Sequence, residues 1–424
     1  MVLDLISRSL GISSRKLWIS SLINSSIISW YLFLAHINMQ NIFQNFTSQE
    51  SWILVASSSF YFSGVLSAII GSTLSNRIDR KKLLWVWTTL GVISSGLLIF
   101  FQNEFYILIF GPLLGISLGF GFPYCSSLFV EYTTVENRGR VGGIIIFLTF
   151  FMLSLARIVT DILGSSLIAI IAVLILLRST SFLALIADKY KIRNKVLKRR
   201  KKENNWFSII THKKYVLYYF PWTLFIVTMV VTDHILWQEL PKTLEYNMVF
   251  EVGYPLHYLG VIIFSIISGI IGDRIGRKPP ILIGLIMMGF SFALMGLSTT
   301  PVSVFVHLVA LGVAFGFIWP MYNAIPGDIA NSNRPYPFAM ERIYAIIQFL
   351  PWIVYGTLGS LPQAFGISAP PTVLAPFLSI ILFISTLPIF LAPETLPQKI
   401  VKKREQDKHL KELKKLIEEE GHNY

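Results

Sequence analysis

The chain is poor in several things at once. Its 424 residues include a single cysteine, Cys125, seven histidines, and only 14% charged side chains. One cysteine excludes an intramolecular disulfide and any cysteine-built metal cluster. The histidines are scattered and no two acids stand at a spacing suited to paired acid–base work, which argues against a membrane-embedded enzyme such as a lipid-modifying transferase. Soluble domains carry about 25% charged residues. Here 54% of residues are hydrophobic before the 28 glycines are counted, and the mean hydropathy is +0.62. A soluble core could not bury that much apolar surface, and so little charge could not cover the rest. A soluble enzyme, a disordered chain and a single-anchor protein are therefore excluded. No cofactor or metal motif is present.

What is there is a series of long apolar runs. They fall at roughly 17–37, 52–75, 83–101, 105–129, 141–160 and 164–187, then at roughly 215–237, 253–272, 280–298, 303–325, 339–358 and 371–391. Twelve membrane spans of ~20 residues need ~240 residues, ~57% of the chain, which matches the hydrophobic fraction. The organisation expected is a six-span half over 1–187, a basic linker over 188–214, a second six-span half over 215–391 and a charged tail over 392–424. The tail places Leu410, Leu413 and Ile417 at helical spacing, a short amphipathic helix. The basic N-terminal lead has no short apolar stretch ending in a cleavage site, so the first run is expected to be retained as a span.

Charge orients the spans. If both termini are cytoplasmic and the chain alternates sides, the inner side receives 33 of the 36 lysines and arginines. Eleven of these lie in the linker and eight in the tail. The exceptions are Arg157, Arg178 and Lys242. This is the positive-inside pattern, and it explains the net charge of +13 without nucleic acid as a partner. The halves also repeat at a constant offset of 197 residues: Arg80-Lys81 falls on Arg277-Lys278, Gly115 on Gly312, Gly119 on Gly316, Pro123 on Pro320 and Glu131 on Asp328. Parallel six-span repeats are an architecture of secondary transporters.

The loop after span 8 reads GIIGDRIGRKP, Gly269 to Pro279, with Asp273, Arg274, Gly276, Arg277 and Lys278 in order. It resembles the loop motif of the major facilitator superfamily. The loop after span 2, STLSNRIDRKK, is similar in degraded form, with Asn76 for the acid, then Arg77, Asp79 and Arg80. Glu131 with Arg138-Gly139 resembles the family's loop after span 4, and Pro393-Glu394-Thr395 resembles the end of span 12 in its sugar and metabolite porters. The resemblance implies an all-α integral membrane protein, twelve transmembrane helices in two pseudo-symmetric halves, alternating access around a central site, and a cell-membrane location. It also implies a gating role for the loop residues. Asp273 is expected to accept bonds from Arg277 and to face the positive N-terminal end of span 5 near Arg138-Gly139, closing the inner side. The basic motif that follows span 6 in sugar porters is missing, so sugar specificity does not carry over.

A solute site is expected near the midplane, where polar side chains are costly unless used. Span 1 offers Asn24, with Trp30 and Tyr31 beyond a serine cluster; a solute contact and a packing cluster both fit. Gln348, Trp352 and Tyr355 share one face of span 11, as a solute-facing or an aromatic packing stripe. Tyr322 and Asn323 in span 10 are weaker candidates. Arg178, deep in span 6, can attract an anionic solute or snorkel inward. Asp233 is the first choice for a proton-coupling acid, with His234 beside it. Asp161, four residues from Arg157 on span 5, is either an ion-pair partner or a second proton site. His36 and His307 read as interface residues, and Gly111, Gly115 and Gly119 as a packing ridge on span 4. The function expected is a proton-coupled transporter of a small polar or anionic metabolite, acting as a monomer in the bilayer. A proton-antiporting exporter of amphipathic compounds is the alternative.

Overall fold

The computed structural model describes residues 7, 9–74, 79–100, 103–187, 211–236, 240, 247–332, 340–359 and 369–396. Asn76, Arg77, Lys242, the basic run of the linker and the tail helix lie outside the described residues, as does the side chain of Arg80.

Each apolar run is a helix. In chain order these are α1 (Ser14–Gln44), α2 (Glu50–Leu74), α3 (Arg80–Leu97), α4 (Glu104–Tyr132), α5 (Arg138–Ile162) and α6 (Leu167–Ala187). The second half supplies α7 (Lys213–Leu236), α8 (Asn247–Arg274), α9 (Lys278–Leu297), α10 (Pro301–Ser332), the broken α11 (Met340–Tyr344 to Ile353–Leu358) and α12 (Pro371–Leu391). Ten of them are long and apolar enough to cross a membrane. The other two are α3, which opens on Arg80, Lys81 and Lys82, and α11, whose winding changes twice within Ala345–Trp352. Helix is the only open-chain solution in lipid, because every backbone polar group must be satisfied within the segment. Polar side chains mark the starts: Ser13 accepts from Lys16 N, Asp79 from Lys81 N and Lys82 N, and Asn103 from Phe105 N. The outward faces are apolar, with Leu297, Ile162 and Phe105 largely exposed, as a lipid-facing surface requires.

The repeat seen in the sequence is a repeat of contacts. On α4, Gly115 and Gly119 lie against the Phe60 and Gly64 carbonyls of α2. At the same offset, Gly312 and Gly316 of α10 lie against the His257 and Val261 carbonyls of α8. The glycine ridge is thus packing, backbone against backbone. The halves meet along α5 and α8 on one side and along α2 and α11 on the other. One end of the bundle carries the loop motifs and is called the basic end below; the other end is opened by a cavity.

Candidate functional site

At the basic end, four helix termini converge on a buried ion cluster. Asp273, at the end of α8, accepts from the backbone N–H groups of Gly139 (2.7 Å) and Arg140 (2.9 Å) at the start of α5. It also accepts from Arg140 Nε at 3.0 Å and Arg277 Nη1 at 2.6 Å. The carboxylate therefore sits on a helix N-terminus, where free N–H groups and the helix dipole favour an anion. Asp328, at the end of α10, receives Arg277 Nε at 2.8 Å and a second, charge-assisted bond from Arg138. Arg138, Arg277, Asp273 and Asp328 are all buried. Burial alone would lower the Arg277 pKa, but Asp328 and Asp273 outweigh it and raise it, so the guanidinium stays charged. Buried ion pairs persist only when their remaining bonding groups are satisfied, and here they are: Arg277 Nη2 donates to Val135 O at 2.7 Å.

Glu394 of the Pro-Glu-Thr segment completes the end. It accepts from the backbone N–H groups of Arg277 (2.8 Å), Lys278 (3.3 Å), Thr395 (2.9 Å) and Leu396 (3.1 Å). Gly276 makes the turn between α8 and α9 at φ +138°, a backbone conformation open to glycine, with its missing side chain pointing at the Glu394 carboxylate. Lys278 reaches the Phe390 carbonyl. Gly269 lets α8 approach Gly139 and Arg140 of α5. Arg274 and Glu131 are exposed, and it is Glu131's repeat mate Asp328 that enters the cluster.

Above this closed end lies a cavity of about 970 Å³ that reaches the opposite end of the bundle. Asp161, Asp233, His234 and Trp352 line it, together with Arg157 and His36. A smaller pocket of about 40 Å³ lies deeper, lined by Tyr31, Gln348 and Trp352 with Tyr61, Phe122 and Trp222. Asp233 Oδ2 accepts from Tyr355 OH at 2.8 Å and stands 3.2 Å from His36 Nδ1. His36 Nε2 lies 3.2 Å from Tyr31 OH. Gln348 Nε2 donates to Asn323 Oδ1 (2.9 Å) and to Tyr322 O (3.2 Å), tying α11 to α10. Tyr322 stacks on Trp222 at 4.5 Å. Gln348 Oε1, Asn323 Nδ2 and Trp222 Nε1 have no hydrogen-bond partner among the described residues.

Several candidates are elsewhere. Arg178 is buried inside the first half, 3.9 Å from the Trp87 ring centroid and 5.7 Å from that of Trp30, with Nη2 donating to Trp87 O. It lines neither cavity; aromatic faces take the place of the acid or solute expected. Trp30 donates to Ser95 Oγ and Asn24 to the Ser20 and Cys125 carbonyls, so both are packing groups of the first half. Arg157 does not pair with Asp161; it lies 5.4 Å over the Tyr254 ring, linking α5 to α8. His307 is buried against Ser291, not at an interface. Sequence reading missed His36, Tyr61, Asp328 and Glu394 as site residues. The 197-residue offset that joins His36 to Asp233 was the signal that would have found the first.

No curated protein matches the chain. Among solved structures, the proton:xylose symporter XylE bound to 6-bromo-6-deoxy-D-glucose aligns with a TM-score of 0.64 at 14% identity, over 90% of this chain and 96% of its own. The human organic anion transporter MFSD10 (TETRAN) aligns with a TM-score of 0.64 at 10% identity, over 88% and 99%. At such identities the likeness is one of fold. The family model of the Major Facilitator Superfamily matches residues 17–253 and 245–420, nearly the whole chain. Among the described residues, twelve helices in two repeating halves, an ion-paired end and a cavity between the halves thus belong to a member of the Major Facilitator Superfamily, a secondary transporter and not an enzyme.

Proposed function

We propose that the protein moves a small polar or anionic metabolite across the cell membrane by alternating access, coupled to protons, with the basic end and both termini in the cytoplasm. The observation that carries the coupling is Asp233. It is an acid on α7, a third exposed, in a cavity that opens away from the basic end, and it touches α1 of the other half through His36. Tyr355 faces it from α11, and Tyr254 and His257 line the same cavity from α8. An acid that bridges the halves can exchange a proton with water and alter the contact between them in the same event.

The polar character of the solute rests on the free hydrogen-bonding atoms of Gln348 and Trp222, which line the deep pocket, with Asn323 bonded to Gln348 behind them, since a bound donor or acceptor would satisfy the first two. For an anionic solute the positive group on the cavity wall is Arg157, which shares that wall with the carboxylates of Glu50, Asp161 and Asp233. The relatives named above carry xylose and organic anions. The gating motif (Gly269, Asp273, Arg274, Gly276, Arg277, Lys278, Arg138, Glu131 and the Asn76, Arg77, Arg80 copy) is assigned to holding the cytoplasmic side closed while the cavity side is open. The aromatic lining favours a second reading, a proton-antiporting exporter of amphipathic compounds.

The test is flux into proteoliposomes with an imposed pH gradient, screening sugars, organic acids, amino acids and amphipathic cations. Gradient-dependent flux of a polar or anionic solute supports the first reading, and flux of cationic amphiphiles against the gradient supports the second. No flux of any class counts against both.

A further inference from the structure

His36 and Asp233 are 197 residues apart, the repeat offset itself, so each occupies the other's position in the opposite half. Residues related in this way touch only where they meet on the pseudo-two-fold axis between the repeats. Both lie where their helices widen into a π-helical segment, Phe33–Asn38 in α1 and Thr232–Leu236 in α7, a local winding that recurs at functional sites. The pair is fixed on both sides, by Tyr31 against His36 Nε2 and by Tyr355 against Asp233.

The pair also stands beside a wall of rings drawn from both halves. Tyr61 of α2 stacks on Tyr355 of α11 at 5.1 Å, and Tyr31 of α1 meets Trp352 of α11 edge-on at 5.0 Å. Tyr61, Trp352, Trp222 and Trp319 line the wide cavity and the deep pocket alike, so they form the partition between the two. Parting the halves at this end pulls the partition open, and the His36–Asp233 contact is its charged tie.

We propose that the His36–Asp233 pair is a gate latch: while it is made, the deep pocket is shut off from the wide cavity, and its release lets a solute pass inward. This goes beyond proton coupling, because it concerns access in the absence of solute and gradient. His36 and Tyr355 are then positioning residues that act through Asp233.

The equivalence of the two positions supplies the test. On a Cys125→Ser background, Val65→Cys places a single thiol on the wall of the deep pocket. The reconstituted full-length chain is exposed to a membrane-impermeant thiosulfonate on the cavity side, without solute or pH gradient. With the latch intact the thiol reacts slowly. His36→Asp and Asp233→His, each leaving two like residues, should react about tenfold faster, the shift given by loss of one charge-assisted contact from a closed state. The double exchange His36→Asp with Asp233→His restores an opposed pair and should restore the slow rate. Single variants that react at the parental rate, or a double exchange that stays fast, overturn the latch. A second measurement stands if those variants fold poorly: His36→Cys with Asp233→Cys on the Cys125→Ser background alone, oxidised and then cut within residues 188–210, should leave the halves joined on a gel and solute flux blocked until the disulfide is reduced. Unchanged flux through the joined protein would also overturn it.

Discussion

Asp328 accepts from two buried arginines, Arg138 and Arg277. Replacing it with asparagine takes from Arg138 its carboxylate partner and leaves Arg277 with Asp273 alone, and losing one partner of a buried pair costs about 3–5 kcal/mol. Asp328→Asn should lower the melting midpoint of the detergent-purified protein and abolish flux. Glu394→Gln should do far less, because one amide oxygen still accepts from the Arg277, Thr395 and Leu396 N–H groups, and only the longer Lys278 N–H bond to the other oxygen is lost. Equal losses from the two would contradict this division of labour. Asp233→Asn makes a different prediction: equilibrium exchange of solute persists while accumulation driven by the pH gradient is lost. These residues were unequally legible. Asp273 with Arg277 is a local motif, and its partner at Gly139 follows from where a helix begins. Arg138 with Asp328, 190 residues apart, has no local spacing to betray it. Arg178 misled because a buried arginine reads as a site, whereas aromatic faces are invisible to a search for acids.

At the scale of the element, the joint between α8 and α9 shows how a loop motif becomes a structure. Its glycine holds a φ of +138° directly against Glu394, so Gly276→Ala meets both backbone strain and a side-chain collision. Strain of this kind is worth about 1–3 kcal/mol. The expected result is a lower melting midpoint, and a smaller drop when Gly276→Ala is made on a Glu394→Ala background, where the collision is gone and the strain remains. An unchanged midpoint in Gly276→Ala would show that the joint relaxes freely. Helix positions were readable throughout, because lipid leaves the backbone no alternative and the apolar runs end where caps and charges begin. The π-helical turns in α1, α7 and α11 were not: an inserted residue in a continuous apolar run leaves the composition unchanged.

For the whole molecule, the structure is one posture of a two-ended machine, sealed at the basic end and hollow at the other. Opening the sealed end must free the amide hydrogens of Gly139 and Arg140, which Asp273 now holds. Deuterium uptake across residues 136–141 should rise when a transported solute and a pH gradient are supplied together, while uptake around His36 and Asp233 falls. A parallel rise at both ends would describe loosening and not exchange of access. The two-fold repeat and the charge asymmetry made this posture's frame legible, but which end is closed depends on contacts between halves that no single stretch of chain contains.

The arginine that lines neither cavity has a consequence for how the protein is made. A lone arginine at the centre of a helix costs about 2.5–3.5 kcal/mol on insertion into a bilayer, and α6 carries Arg178 among leucines and isoleucines. The rings that receive it belong to α1 and α3, which leave the ribosome earlier, and Gly91 on α3 keeps the berth open because a side chain there would strike the guanidinium. Order of synthesis therefore builds the receptacle before its occupant arrives. Trp87→Ala or Gly91→Val should be read less as changes to a finished transporter than as faults in assembly, with α6 stalled at the translocon.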